Sequence, residues 1–232
     1  MIPASVTSIE GVTWSGTGAF DGCTGLTEIW FMGTTQPSIN QYAFDGVTET
    51  IPLYYPKGCL SSYTYNRFAN KIPFSLFTGA SDSNWGESDN WAYGVPESTV
   101  AALIEAVATI TSNAQAKHVA FTDGKYIIID GGQLTCNSIA SHDVNTVTIR
   151  NGGQLICNTA VQGTVQKTIA AYTSNNDGWN FIASPVTETL GYNDVPGLLP
   201  TNADEYDLYY LEEETTMWRN FKPGNTYSVF NI

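Results

Sequence analysis

Apolar and polar residues alternate along short stretches of this chain, and glycine or asparagine separates many of these stretches. Ile29 and Phe31 fall on one face of such a stretch, and Glu28 and Trp30 fall on the other. A period of two residues is typical of a half-buried β-strand. A run of β-branched residues at Ile127-Ile128-Ile129 indicates a further strand. The pattern predicts a mainly β protein built from short strands.

Two motifs recur at fixed offsets along the chain. Ala19-Phe20-Asp21-Gly22 returns 24 residues later as Ala43-Phe44-Asp45-Gly46, and Gly131-Gly132-Gln133-Leu134-Thr135-Cys136-Asn137 returns 21 residues later as Gly152-Gly153-Gln154-Leu155-Ile156-Cys157-Asn158. Periods of ~20–30 residues are typical of units that stack because none of them can bury a hydrophobic face alone. The second offset predicts a parallel β-solenoid, with Asn137 and Asn158 forming a ladder of buried amides.

The segment from Val100 to Ala108 carries two conflicting signals. Its alanines, its apolar spacing and a possible cap at Ser98 or Thr99 favour a helix. The repeats around it and the run Thr109-Ile110-Thr111 favour strands. Because tertiary context overrides propensity, we predict mostly strand.

Residues 164–232 show strand patterns without a period. One candidate strand runs from Gly178 to Val186. Residues 206–211 and 217–221 predict a hairpin around Glu212-Glu213-Glu214. We expect a C-terminal β-rich domain that is either a small antiparallel β cap or a partial, truncated β-sandwich.

Three motifs in the first third of the chain carry a family resemblance. The stretches Ile2-Pro3-Ala4-Ser5-Val6-Thr7-Ser8-Ile9, Ala19-Phe20-Asp21-Gly22-Cys23-Thr24-Gly25-Leu26-Thr27-Glu28-Ile29 and Tyr55-Pro56-Lys57-Gly58-Cys59-Leu60 closely resemble the BspA-like leucine-rich repeats of surface proteins from anaerobic gut and oral bacteria. The chain departs from that pattern at residues 11–17, where we expect a small insertion. The resemblance implies a short leucine-rich-repeat array over residues 1–80.

A second and looser resemblance begins after residue 80. The motifs Ser83-Asn84-Trp85, Asp89-Asn90-Trp91 and Gly94-Val95-Pro96 resemble the opening of β-solenoid segments in large bacterial adhesins. With the offset of 21 residues, this places a parallel β-solenoid at residues 81–163, between the repeats and the C-terminal domain.

The charge of the chain narrows the classes of partner. Lys and Arg number 9 and Asp and Glu 22, for a net charge of −13. Nucleic acids and anionic membranes select basic surfaces, so neither is expected to bind. No apolar run reaches the ~18 residues of a membrane helix, which predicts no membrane insertion within this chain. The start of the chain lacks the features of a signal peptide, and the resemblance implies a cell-surface or secreted protein.

The four cysteines allow two alternatives. Cys136 and Cys157 fall at equivalent positions of stacked coils, and Cys23 and Cys59 fall at repeat positions that small buried residues usually fill. Export would permit two disulfides, but free, buried thiols are the favoured interpretation. His118 and His142 lie in no metal or nucleophile motif and are predicted to be solvated. No metal or cofactor is expected.

Acidic and aromatic residues occur together at two places in the sequence. Asp82, Glu87 and Asp89 cluster beside Trp85 and Trp91, a combination that suits a sugar site. Turn formation explains these acids more simply than catalysis or calcium binding does.

The second combination of aromatic and acidic residues comprises Trp30, Tyr54 and Glu28. The 24-residue offset places Trp30 and Tyr54 at the same outward position of consecutive strands, beside Glu28. We expect an exposed aromatic pair that binds a sugar ring or a peptide, unless a capping segment or a second molecule covers it.

Two functional hypotheses follow. The first is a non-catalytic cell-surface adhesion or interaction module that binds a host protein, a glycan or a neighbouring surface component, with binding residues Glu28, Trp30, Tyr54, Trp85 and Trp91. The second is a carbohydrate-active enzyme or its substrate-binding accessory module. The sequence shows no convergent set of acid, base and metal ligands, which favours the first.

Overall fold

A computed structural model of the protein describes residues 1–12, 17–168, 209–212 and 216–220. The chain divides into two compact units, residues 1–168 and residues 169–232. In chain order the strands are β1 (Ser8–Ile9), β2 (Gly11–Val12), β3 (Thr17–Gly18), β4 (Ile29–Trp30), β5 (Ser38–Ile39), β6 (Leu53–Pro56), β7 (Lys71–Phe77), β8 (Ala101–Ile104), β9 (Ala108–Ile110), β10 (Asn113–Phe121), β11 (Ile127–Ile129), β12 (Gln133–Ile139), β13 (Val147–Ile149), β14 (Gln154–Cys157), β15 (Thr164–Val165), β16 (Tyr209–Glu212) and β17 (Met217–Asn220). Helical structure in the described residues is limited to the 3₁₀ turns Leu60–Ser62 and Ser88–Asn90, neither of them able to cross a membrane.

The first unit is a parallel β-solenoid of about seven turns. Its main sheet has 7 strands in the order β14-β12-β10-β8-β7-β6-β4, and every neighbouring pair is parallel. A second sheet of 4 strands, β15-β13-β11-β9, lies on another side of the later turns. The mainly β composition and the parallel β-solenoid predicted from the sequence are therefore confirmed, but the solenoid is not limited to the predicted residues 81–163, because β4, β6, β7 and β15 also belong to its sheets.

The two sequence offsets set the register of the stacked turns. Leu134 pairs with Leu155 and Cys136 with Cys157, as the offset of 21 residues predicts. Asn158 Nδ2 donates a hydrogen bond of 3.4 Å to Asn137 Oδ1, so the asparagine ladder is confirmed. Both side chains are exposed, because they lie on the outer side of the coil, and the expectation of buried amides was wrong.

The first turns stack at the offset of 24 residues. Phe20 N donates to Ala43 O and Gly22 N to Asp45 O, each over 2.8 Å. The rings of Phe20 and Phe44 stack with centroids 4.9 Å apart. At the two ends of the insertion expected at residues 11–17, β2 (Gly11–Val12) pairs antiparallel with β3 (Thr17–Gly18).

The ambiguous segment near residue 100 forms strands β8 and β9, as predicted. All four residues of β8 are buried, because side chains pack on both faces of the sheet there. A strand buried on both faces loses the polar alternation that marks a half-exposed strand. This explains why its sequence resembles a helix.

The apolar core consists of three clusters in this unit. One fills the first turns around Phe31, Phe44 and Leu53. Another fills the later turns around Phe77, Leu134 and Ile127. The third covers the opposite face of the main sheet and contains Trp30, Tyr54, Ile72, Phe74, Ala101, Leu103 and Ala120. We call it the outer cluster.

The main sheet runs without a break past residue 80, where the sequence suggests a change of repeat type. Strand β7 pairs directly with β8, from Phe74 beside Ala101 to Phe77 beside Ile104. The two kinds of repeat therefore share one hydrogen-bonded sheet.

In the second unit, β16 and β17 form an antiparallel pair, with Tyr209 opposite Asn220 and Glu212 opposite Met217. This agrees with the predicted hairpin. The candidate strand at residues 178–186 lies outside the described residues.

Candidate functional site

Trp30 and Tyr54 neighbour each other as the repeat offset predicts. They pair in register on β4 and β6, and their rings stack with centroids 3.8 Å apart and an interplanar angle of 9°. Their exposure was predicted wrongly, because Trp30 is 2% and Tyr54 4% exposed. Buried ring faces cannot stack on a sugar or anchor a peptide, so neither ring forms a binding surface.

Curvature of the main sheet explains this burial. Strands β4 and β10 are separated by three strands, which in a flat sheet places them about 19 Å apart at ~4.8 Å per strand. Yet the ring of His118 on β10 lies 5.7 Å from that of Tyr54 and 6.3 Å from that of Trp30. The sheet therefore curves toward the outer cluster. The small side chains of Ala101 and Ala120 leave room there for the large rings.

A polar chain of three side chains borders the outer cluster. His118 Nδ1 lies 2.7 Å from Ser138 Oγ, and His118 Nε2 lies 3.9 Å from Glu28 Oε2. His118 and Ser138 are register partners on β10 and β12, and Glu28 immediately precedes β4. We call these residues the Glu28–His118–Ser138 chain.

Burial governs the protonation of this chain. The side chain of His118 is 12% exposed, and desolvation lowers its pKa below the ordinary value, against the opposing effects of the Glu28 charge and of a hydrogen bond with the backbone of Ser138. The imidazole is therefore neutral at pH 7. Burial, assisted by the charge of Glu28, raises the pKa of Tyr54, which keeps its phenol protonated.

Sequence reasoning placed Glu28 in a candidate site but missed His118 and Ser138. The prediction that histidines are solvated holds for His142, which is exposed, and is wrong for His118. His118 pairs with Ser138 because one turn of the solenoid takes 20 residues at this point, and no repeat in the sequence has that period. The contact with Glu28 depends on the curvature of the sheet and spans 90 positions.

Trp85 and Trp91 belong to the core of the later turns. They are 2% and 4% exposed, and their rings meet edge to face with centroids 4.8 Å apart. Trp91 Nε1 donates a hydrogen bond of 2.7 Å to Trp85 O. The sugar-binding role considered for them is wrong, because these rings are packing elements.

The acids beside these tryptophans shape the turn, as the simpler interpretation predicts. Asp82 Oδ1 accepts hydrogen bonds of 2.7 Å from both Asn84 N and Asn90 Nδ2, which lower the pKa of Asp82. Glu87 accepts from Asp89 N at the 3₁₀ turn. Within the described residues, no group of three or more His, Cys, Asp or Glu side chains is placed to hold a metal ion.

All four cysteines are free thiols in the structure. Cys136 is buried, and desolvation, with a smaller contribution from Cys157, raises the pKa of its thiol to about 12. Cys23 is exposed, so the expectation that it fills a buried repeat position was wrong.

The outward side of β10, β12 and β14 carries mostly uncharged polar side chains, interrupted by the exposed Ile156 of β14. Register places Asn113, Gln133 and Gln154 in one row, Gln115, Thr135 and Ile156 in the next, and the Asn137–Asn158 ladder beyond them. Gln133 Nε2 also donates to Thr135 Oγ1 over 3.1 Å. These eight residues, which we call the polar face, are exposed or partly exposed.

A polar groove lies beside the second sheet. Arg150 Nη1 lies 3.5 Å from Asp130 Oδ2, and Arg150 Nε donates to Gln166 Oε1 over 3.3 Å. With Asn151 and Thr168, these side chains line a volume of about 350 Å³.

Family models, curated proteins and solved structures give no match to this chain. The functional assignment therefore depends on the geometry of its surfaces and on the sequence motifs.

Proposed function

We propose that the chain is an adhesion or interaction module of a bacterial cell surface, which binds a host protein, a glycan or a neighbouring surface component through the polar face. The observation that supports this most strongly is the row of amide side chains that Asn113, Gln133 and Gln154 form across three parallel strands. Neighbouring groups in a row are spaced by the strand separation of ~4.8 Å.

The chemistry of the polar face suits an extended polar polymer. Each asparagine or glutamine amide both donates and accepts hydrogen bonds, as the hydroxyls of a glycan or the amides of a peptide require. All of these residues except Asn158 stand on strands of a continuous sheet, so their backbone is already ordered before a ligand binds. The net charge of −13 favours a neutral or basic partner.

The same face supports the second hypothesis, in which the chain is the substrate-binding accessory module of a carbohydrate-active enzyme. The accessory role requires a glycan, whereas the interaction module can also bind a protein, so a protein ligand would exclude the accessory role.

The proposal extends to the identity of the segments. Residues 1–80 are proposed as a BspA-like leucine-rich-repeat array on the strength of their three motifs and the stacking of Phe20 on Phe44. The C-terminal β-rich domain expected at residues 164–232 begins later, because Thr164–Val165 pair with β13 of the solenoid. Residues 169–232 are proposed as a small antiparallel β cap or a partial β-sandwich, which the pairing of β16 with β17 supports. Cell-surface or secreted localisation follows from the family resemblance.

Glycan and protein arrays probed with the full chain test the function. For any ligand found, Gln154→Ala combined with Asn158→Ala is expected to weaken binding at least tenfold. Gln162→Ala is the matched control, because Gln162 is an equally exposed glutamine outside the polar face. Unchanged binding by the double variant would discard the polar face, and a protein ligand would exclude the accessory role.

A further inference from the structure

We propose that Ser138 is a nucleophile activated by His118 and Glu28, and that it cleaves small carboxylic esters. This activity goes beyond the proposed interaction function and does not depend on it. The three residues lie on separate turns and meet through the curvature of the main sheet.

The geometry matches the roles of a nucleophile, a base and a residue that orients the base. His118 Nδ1 is 2.7 Å from Ser138 Oγ, within reach for direct proton transfer. Glu28 Oε2 lies 3.9 Å from the other ring nitrogen. Such catalytic contacts are often long before substrate binds, and such triads are identified by geometry and roles rather than by sequence order.

The unpaired state of His118 Nε2 follows from the same 3.9 Å separation, because Glu28 lies beyond hydrogen-bond reach. This atom is buried and has no hydrogen-bond partner among the described residues. Buried polar atoms are paired in most folds, since leaving one unpaired costs about 1–3 kcal/mol. For Nδ1 to accept the serine proton, the neutral imidazole must carry its hydrogen on Nε2, on the side of the Glu28 carboxylate. Protonation of Nδ1 during catalysis then creates an imidazolium whose positive charge Glu28 stabilises.

The accessibilities of the residues are compatible with the reaction. Ser138 is half-buried rather than enclosed in the core, as the approach of an ester to its Oγ requires. His118 is 12% exposed and is packed beside the Tyr54 ring, which holds the imidazole in place. The lowered pKa of His118 keeps it available as a base at neutral pH.

The reaction balances without any further reactant except water. Ser138 Oγ bonds to the ester carbonyl carbon while its proton passes to His118 Nδ1. The bond from that carbon to the leaving oxygen then breaks, and the alcohol departs with the proton from Nδ1. Water attacks the acyl group on Ser138, passing one proton through Nδ1 to Ser138 Oγ, and the carboxylic acid is released.

The full chain incubated with p-nitrophenyl acetate provides the test. We expect release of p-nitrophenol and an acetyl group on Ser138, detected by peptide mass spectrometry. Ser138→Ala should abolish the acetyl group, and His118→Gln should slow its formation about a hundredfold, the lower end of a general base's contribution. Glu28→Gln should give a smaller decrease. Ser61→Ala, which changes an exposed serine elsewhere, should leave the rate unchanged.

Two results would overturn the proposal. One is a Ser138 left unmodified by both the ester and a fluorophosphonate probe. The other is acetylation of Ser138 at the wild-type rate in Glu28→Gln and in a folded His118→Gln protein. If His118→Gln does not fold, the pH profile of the wild-type acetylation rate is the deciding measurement. The rate must fall as His118 protonates below pH 6.5. The titratable neighbours of His118 are Glu28 and Tyr54. Ser138→Ala should still bind any ligand found on the arrays. A failed esterase test therefore leaves the proposed binding through the polar face standing.

Discussion

Trp30 and Tyr54 stack almost parallel on adjacent strands, 3.8 Å apart, with both rings removed from solvent. The repeat places them side by side, and the curved sheet buries them. They therefore contribute to stability rather than to a binding surface.

Replacing Tyr54 by alanine should lower the free energy of unfolding by about 3–5 kcal/mol, the range for large buried aromatic side chains. Denaturant unfolding monitored by circular dichroism measures this loss. Tyr126→Ala is the control, because Tyr126 is 37% exposed and its loss should cost much less. A loss below about 1 kcal/mol for Tyr54→Ala would contradict the burial of the stack.

Gly132→Ala should destabilise the solenoid strongly. A Cβ at this position would lie 2.5 Å from Ser112 N and 2.6 Å from Ser112 O, both atoms of the neighbouring backbone. Such overpacking costs about 1–3 kcal/mol or more. Gly25→Ala is the matched control, because a Cβ there meets nothing within 4 Å. Equal thermal stability of the two variants would argue against close packing of this corner.

Thiol labelling should rank the cysteines by exposure. Cys23 should react first with iodoacetamide and Cys136 last, because burial raises the pKa of Cys136 to about 12 and blocks access to it. Labelling in denaturant, followed by intact-mass measurement, should add four labels with or without reductant. A mass two labels short without reductant would reveal a disulfide, which the register would place between Cys136 and Cys157.

Acid should weaken the fold through His118. Its pKa is lowered in the folded state from the ordinary 6.5, so the unfolded chain binds more protons as the pH falls below that value. The contribution of neutral His118 to stability is therefore present above pH 6.5 and decreases as the pH falls. Melting temperatures between pH 7.5 and 5 should decrease more for the wild type than for His118→Gln. If the melting temperatures of the wild type and of His118→Gln decrease equally as the pH falls, His118 is not the source of the acid sensitivity.

The parts of the fold that the sequence predicts well are those set by local repetition. The Asn137–Asn158 ladder and the stacking of Phe20 on Phe44 follow directly from offsets of 21 and 24 residues. Strand β8 was predicted despite its helical composition, because its neighbours in the chain are strands.

The candidate site was predicted poorly because its residues are distant in sequence. Glu28 meets His118 only because the sheet curves, and the burial of Trp30 depends on residues such as Phe74, whose ring lies 5.2 Å away. A period-two pattern assigns a side chain to a face of the sheet, but it does not reveal what lies over that face. This is why Trp85 and Trp91 also suggested a surface site.

The direct pairing of β7 with β8 has a mechanical consequence. Inter-strand hydrogen bonds run along the stacking direction of the solenoid, so a pulling force applied along that direction loads every strand pair of the main sheet in series. The shortest pair then limits the load. That pair is β4 with β6, where only two residues of each strand are in register, so we expect the unit to open there first under tension.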